Sequence, residues 1–443
     1  MASETISPKT VITRKARVYL QLPGTAGQPG QWVTAGHIET TPGAARATGL
    51  FQYAPEYLAR PDCLAIDPIG LPRLEPLVYG APRYGGLCDV IRDICPDSWG
   101  RRLLMREKGL PAGAPDVDVV LAGANSERWG ALSIGSTKHP SPAHINTPRI
   151  NKLSELLEEM ALWQEFLPAR HPGIRQQLLN RHSDGGARPK VTVRDGDIWL
   201  IAKPLERGDV ADIPRLEHLT MALAKSVGLH VAATRHLAGK QSVVLVERFD
   251  RQGEQRVMAV SGATLMEVEF PAVHDISNSG LTFYGGNVTN RSPGRQRAPG
   301  YLRLADALRR IGCPLADLQE LWHRLVFNIL VGNDDDHPRN HAALYDGAAR
   351  RWRLSPAFDI VPNPLERPRQ QAINIDASSN YISREVLLAL APRFGFTTGE
   401  SADALLSRFT ERVIHAAQQM PVEPMSALLF GQIVGGMGLL GAA

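Results

Sequence analysis

A chain of 443 residues with 43% apolar side chains is long enough for about three folding units and can give each a core. Its 21% charged residues are ordinary for a globular protein, which excludes a wholly disordered tail or a fibrous repeat. The 49 basic residues against 45 acidic ones leave a net charge of +4, too small an excess to imply nucleic acid by itself.

The N-terminal MASETISPKTVITRK has no apolar run of the secretory kind. Cys63, Cys88, Cys95 and Cys313 form no C-x-x-C pair, which argues against a zinc site or disulfide framework and for a reducing, cytoplasmic setting. Residues 1–134 mix short apolar runs with Pro/Gly turns such as Gln28-Pro29-Gly30, and read as an α/β unit. Within it, Pro96–Leu104 reads as a helix capped by Asp97 or Ser98. Residues 135–149 carry three prolines and few apolar residues, the composition of a linker.

Residues 150–250 begin with a helix over Lys152–Trp163 and then turn strand-rich. Asp195-Gly196 between β-branched runs predicts a hairpin in which Val193 faces Ile198 and Val191 faces Leu200. That register buries an apolar face. It gathers Arg188, Lys190 and Lys203 on the other, with Arg188 across from Lys203. Asp184-Gly185-Gly186-Ala187 just before them is a turn whose backbone N–H groups can approach an anion closely. A polyphosphate cradle and a solvated hairpin with surface cations both fit this pattern.

Apolar spacing predicts a helix from Pro214 to Val227, stopped by Gly228; its Glu217 either pairs with Lys203 or faces solvent. Ser242–Val246 reads as a buried strand leading into Glu247–Arg251. Residues 251–443 read as a helical lobe, with a long polar loop over 275–300. Leu318, Leu321, Trp322, Leu325, Val326, Ile329 and Leu330 predict a helix with a wide apolar face, ended by Gly332.

Asn333–Asn340 (NDDDHPRN) follows. Three consecutive carboxylates repel, so they call for solvent, a cation or a metal. Asp335-x-x-x-x-Asn340 has the spacing of a phosphotransferase catalytic loop, where the Asp accepts a hydroxyl proton and the Asn binds Mg²⁺. A second hairpin, Ala342–Tyr345 and Trp352–Leu354 around Asp346-Gly347, ends at Asp359 and folds that carboxylate back toward Asn340. Such hard oxygen donors suit Mg²⁺. His337 reads as a loop brace or a ligand contact, and His218, His230 and His236 as structural or surface residues. The apolar Ala427–Ala443 is short, glycine-rich and interrupted by Gln432. It reads as a buried or partner-facing segment, not a membrane span.

Taken together, PDSWGRRLL at 96–104, Gly186–Lys190, Ala202-Lys203, VERFDR at 246–251, FNILVGNDDDHPRN at 327–340 and LSPAFD at 354–359 resemble the HipA family of toxin Ser/Thr protein kinases. The resemblance implies an α+β chain: an N-terminal α/β region and a bilobal kinase-like core whose C-terminal lobe is mostly helical, with ATP between the lobes. It implies Asp335 as catalytic base and Asn340 and Asp359 as Mg²⁺ ligands. Lys203 would contact the phosphates, and Gly185, Gly186, Ala187, Arg188 and Lys190 would form the phosphate loop. Glu247 and Phe249 would offer backbone hydrogen bonds to adenine, and His337 would lie beside the nucleotide. Ser183 would be the autophosphorylated serine. The implied partners are a protein substrate (an aminoacyl-tRNA synthetase), a helix-turn-helix antitoxin, and operator DNA through that antitoxin. Arg339 stands where the family commonly has lysine, and the triple Asp leaves open what Asp334 and Asp336 do. A small-molecule phosphotransferase, a metal-dependent nuclease using Asp334–His337, and a catalytically dead antitoxin- and DNA-binding module are the rival readings.

Overall fold

The computed structural model describes residues 13–24, 28–41, 48–96, 98–111, 113–140, 147–179, 188–239, 241–270, 298–397 and 401–441. The N-terminal unit is built on a five-stranded antiparallel sheet in the order β4-β3-β2-β1-β5. Its strands are β1 (Arg14–Gln21), β2 (Trp32–Thr41), β3 (Thr48–Tyr53), β4 (Val78–Ala81) and β5 (Leu132–Gly135). Strand β3 alternates exposed and buried residues, the period of two expected of a half-covered sheet. Helices α1 (Pro55–Leu58), α2 (Asp89–Asp93), α3 (Ser98–Lys108) and α4 (Asp116–Ala122) accompany it. Buried Tyr53 and Tyr57 keep their hydroxyls satisfied on the carbonyls of Leu71 and Leu64. The expected linker begins inside β5, and the carbonyls of Thr137 and Lys138 accept bonds from Tyr19 and Thr34 of the sheet.

Helices α5 (Leu153–Gln164) and α6 (Pro172–Leu179) precede a four-stranded antiparallel sheet, β6-β7-β9-β8. Its strands are β6 (Val191–Asp195), β7 (Ile198–Pro204), β8 (Thr234–Leu237) and β9 (Val243–Glu247), with α7 (Ile213–Ser226) between β7 and β8. Trp99 and Leu103 of α3 share a core with α5, Val191, Val193, Leu200 and Leu245, so the N-terminal unit and this sheet are packed together.

The β6–β7 hairpin forms, but in another register. Val193 pairs with Leu200 and Val191 with Ala202, and the turn residues are Gly196-Asp197. The slip is two residues, so every side chain keeps its predicted face, because strand faces repeat every second residue. The predicted Arg188–Lys203 juxtaposition does not form. Lys203 lies opposite Val244 of β9, and Arg188 precedes β6, bound to both oxygens of Asp209 (3.0 and 2.5 Å) and to Glu206. Acidic partners from the 205–209 loop resolve the charge repulsion that the sequence pattern leaves open.

Beyond the short hairpin β10 (Arg251–Gln252) and β11 (Gln255–Arg256), the lobe is mostly helical. It holds β12 (Ala259–Ser261), α8 (Gly262–Met266), α9 (Tyr301–Arg310), α10 (Leu315–Val331), β13 (Ala342–Asp346), β14 (Arg351–Leu354), α11 (Arg384–Leu390), α12 (Ala402–Gln418) and α13 (Pro424–Leu439). From Leu321 to Val331 almost every α10 residue is buried, because α9, α12 and α13 pack around it. Most of the long polar loop expected at 275–300 lies outside the described residues. Helix α13, the expected apolar C-terminal segment, packs on α7, α10 and α12. Among the described residues no helix is long and apolar enough to cross a membrane.

Candidate active site

Lys203 projects from β7, a strand paired on both sides and therefore firmly placed. Its Nζ lies 2.8 Å from Glu217 Oε1 and 2.5 Å from Asp359 Oδ1. Glu217 sits on α7, whose N-terminus is capped by Asp212 accepting the Arg215 N–H at 3.0 Å. Burial opposes the ammonium charge, but the two carboxylates outweigh it and raise the Lys203 pKa. Burial likewise opposes ionisation of Asp359. Lys203 and Lys190 reverse that effect and hold Asp359 well below the usual carboxylate range. Burial pushes Glu217 up despite Lys203.

Asp359 has φ +60°, the left-handed region that non-glycine residues rarely adopt. The approach to it is braced. Ala357 N–H donates to His230 O at 2.8 Å, and the buried Arg324 Nη2 donates to Ser355 O at 2.7 Å. The Phe358 ring lies 5.2 Å from that of Phe249. The Asp359 side chain remains 37% exposed, so it is open to a ligand.

Helix α10 ends on Gly332 at φ +76°, and Asn333 N–H closes back to Asn328 O at 2.9 Å. The three aspartates then part. Asp334 accepts Asn363 Nδ2 at 3.1 Å. Asp336, 3% exposed, accepts the Tyr301 hydroxyl and His341 Nε2 (3.1 Å). Only Asp335 has no side-chain hydrogen bond among the described residues. Its backbone carbonyl accepts Asn340 Nδ2 at 2.9 Å and His337 N–H at 2.8 Å. Asp335 is exposed to solvent, between half-buried Asp334 and buried Asp336. Desolvation first, then the charges of Asp359 and Asp334, push its pKa up to about 7. Because the carboxylates diverge, the triple Asp does not form one metal cluster, which counts against the nuclease reading. Among the described residues no group of three or more His, Cys, Asp or Glu is placed to hold a metal.

His337 caps the turn 338–340, its ring 4.9 Å from that of Phe270, and its charge acts on Asp359. Glu247 ends β9 and donates its N–H to Ala233 O at 2.8 Å. Phe249 lies two residues on. The fields of Glu217 and Asp359 both include Lys190. Ser183, Gly185, Gly186 and Ala187 lie outside the described residues.

The clamp on Asp336 was not foreseen: Tyr301 lies 35 positions upstream, and no local spacing points to it. Asn363 lies four residues beyond Asp359, behind the apolar Ile360-Val361-Pro362, and no local pattern marked it. A cavity of about 1050 Å³ lies away from Lys203 and Asp335, behind Phe249 and Pro356 and against Pro23, Arg256 and Tyr345.

The family described as HipA-like C-terminal domain matches residues 182–420. Y4mE of Sinorhizobium fredii, named as a candidate kinase, is 27% identical over 213 residues, 44% of this chain and 46% of that protein. The serine/threonine-protein kinase toxin HipA of Shewanella oneidensis is 24% identical over 203 residues, 44% of each chain. The chain thus spans less than half the length of these curated relatives. HipA in the Shewanella oneidensis MR-1 complex with HipB and operator DNA shares the fold, with a TM-score of 0.63 and 18% identity over 92% of this chain and 96% of that one.

Proposed function

Because the chain belongs to the family of the HipA-like C-terminal domain, which matches more than half of it, we propose that it is a Mg-ATP-dependent Ser/Thr protein kinase acting as the toxin of a toxin–antitoxin pair. One observation carries this reading. Asp335, which has no side-chain hydrogen bond among the described residues, lies in the field of Asp359, the carboxylate that with Glu217 holds Lys203.

A base titrating near neutrality suits proton removal from a hydroxyl. The substrate oxygen bonds to the γ-phosphorus as the bond to the ADP oxygen breaks, and the hydroxyl proton passes to Asp335. Lys203, held by Glu217, contacts the phosphates and offsets charge developing on them. Asn340 is held through its Nδ2, so its amide oxygen remains as a donor. With Asp359 it forms a hard oxygen set that fits Mg²⁺, and the bound ion would neutralise phosphate charge. The Glu247 carbonyl and the Phe249 N–H receive adenine. Lys190, Arg188 and the Gly185–Ala187 turn complete the phosphate site, with His337 beside it. Phosphorylation of Ser183 would add about −1.5 to −2 charges near Lys190 and displace that turn, switching off ATP binding.

Four regions follow: the N-terminal unit (1–134), a linker (135–149), a small lobe (150–250) and a helical lobe (251–443). The fold shared with HipA, seen with HipB and operator DNA, supports a helix-turn-helix antitoxin as partner, with operator DNA reached through it. The family resemblance suggests an aminoacyl-tRNA synthetase as the phosphorylated protein, in the cytoplasm. Incubation with labelled ATP and Mg²⁺ tests the reading. Label on a protein serine, absent in Asp335→Ala, supports it; label on small alcohols alone, or ATP binding without transfer, overturns it.

A further inference from the structure

Residues 247–251 look two ways. After β9 the chain turns at Phe249-Asp250, closed by Arg251 N–H donating to Arg248 O at 3.3 Å. Glu247 and Phe249 belong to the proposed adenine edge, and the side chains of Arg248, Asp250 and Arg251 bind the N-terminal unit. Arg248 Nη1 donates to Glu127 O at 3.0 Å, and Arg251 Nη2 donates to Arg128 O at 2.5 Å. Gly130 N–H donates to Asp250 Oδ2 at 2.7 Å. Asp250 also receives Arg248 (3.0 and 2.8 Å) and Arg251 (2.8 Å). All three side chains are at least nine-tenths buried. Burial opposes the Asp250 charge, but the two guanidinium groups outweigh it and hold the carboxylate ionised.

Buried charges of this kind need every partner in place. Here several partners are main-chain groups of one turn, 127–130, so the turn's position dictates the path of 248–251. Gly130 has φ +67°, and a Cβ there would meet Ala259 at 3.3 Å, so the turn approaches the core closely. We infer that Arg248, Asp250 and Arg251 are positioning residues for adenine recognition, through which docking of the N-terminal unit sets nucleotide affinity. This rests on the proposed kinase reading of Glu247 and Phe249.

The test is calorimetric titration of the full-length chain, with Mg²⁺, by ADP and separately by pyrophosphate, which has no base to recognise. Arg248→Lys, Asp250→Asn and Gly130→Ala are each expected to weaken ADP binding about tenfold and leave pyrophosphate binding unchanged. Gly130→Ala acts from the N-terminal side and carries the test if a buried-charge variant does not fold. Unchanged ADP affinity in folded variants overturns the inference, as does an equal loss for both ligands. Wild-type protein binding ADP no more tightly than pyrophosphate would instead overturn the adenine reading itself.

Discussion

Lys203 on β7 and Asp359 beyond β14, 156 positions apart, meet at 2.5 Å. The contact joins a sheet-borne cation to a carboxylate whose own backbone is strained at φ +60°. Asp359→Asn keeps the size and the left-handed tolerance of the residue. It is expected to lower phosphate transfer by at least about a hundredfold while far-UV circular dichroism stays native. Transfer at the wild-type rate would remove Asp359 from the proposed chemistry.

Lys203→Met leaves Glu217 and Asp359 facing each other without their shared cation. Breaking a buried pair on one side costs about 3–5 kcal/mol, less here because Asp359 is 37% exposed. A lowered melting temperature at pH 7.5 that partly recovers on acidification would match protonation of the orphaned carboxylates.

As the proposed base Asp335 would act only when ionised, and its pKa is raised to about 7. The rate should therefore fall as pH drops through about 7, well above the unperturbed carboxylate value of about 3.9. Stability has the opposite sign. The folded chain favours protonated Asp335, so between about pH 4 and 7 this group makes the fold less stable as pH rises. Asp335→Asn should abolish transfer and flatten that part of the stability profile, as read by denaturant titration at pH 4.5 and 8.

Asp336 fixes the loop from below through Tyr301 and His341. Tyr301→Phe removes one donor from a buried carboxylate, at a cost of about 1–3 kcal/mol. Loosened beneath Asp335, the loop should lose kcat more than KM for ATP. Steady-state kinetics across ATP concentrations separates the two.

Gly332 ends α10 at φ +76°, where a Cβ would fall 2.6 Å from Gln432 Oε1. Gly332→Ala is expected to destabilise the chain by about 1–2 kcal/mol from backbone conformation alone. Thermal unfolding measures this directly.

The elements around the candidate site were legible because their signals are local. The apolar spacing of 318–330 and its glycine stop predicted α10, observed as Leu315–Val331. The Asp335–Asn340 spacing appears as a loop in which Asn340 bonds the Asp335 carbonyl, and Glu217 was already a candidate partner for Lys203. The hairpin faces survived a wrong register because a two-residue slip preserves parity. The partner of Arg188 was not legible, since Asp209 and Glu206 reach it from the loop after β7, which only the hairpin pairing brings beside it.

Residue order by itself determined helices, strands, turns and the short Asp335–Asn340 spacing, because those depend on residues within a few positions. Only the tertiary structure decided which of three adjacent aspartates lacks a side-chain hydrogen bond among the described residues, and that Arg248 and Asp250 bind the N-terminal unit. Ionisation and pairing depend on burial and on neighbours brought in from distant positions.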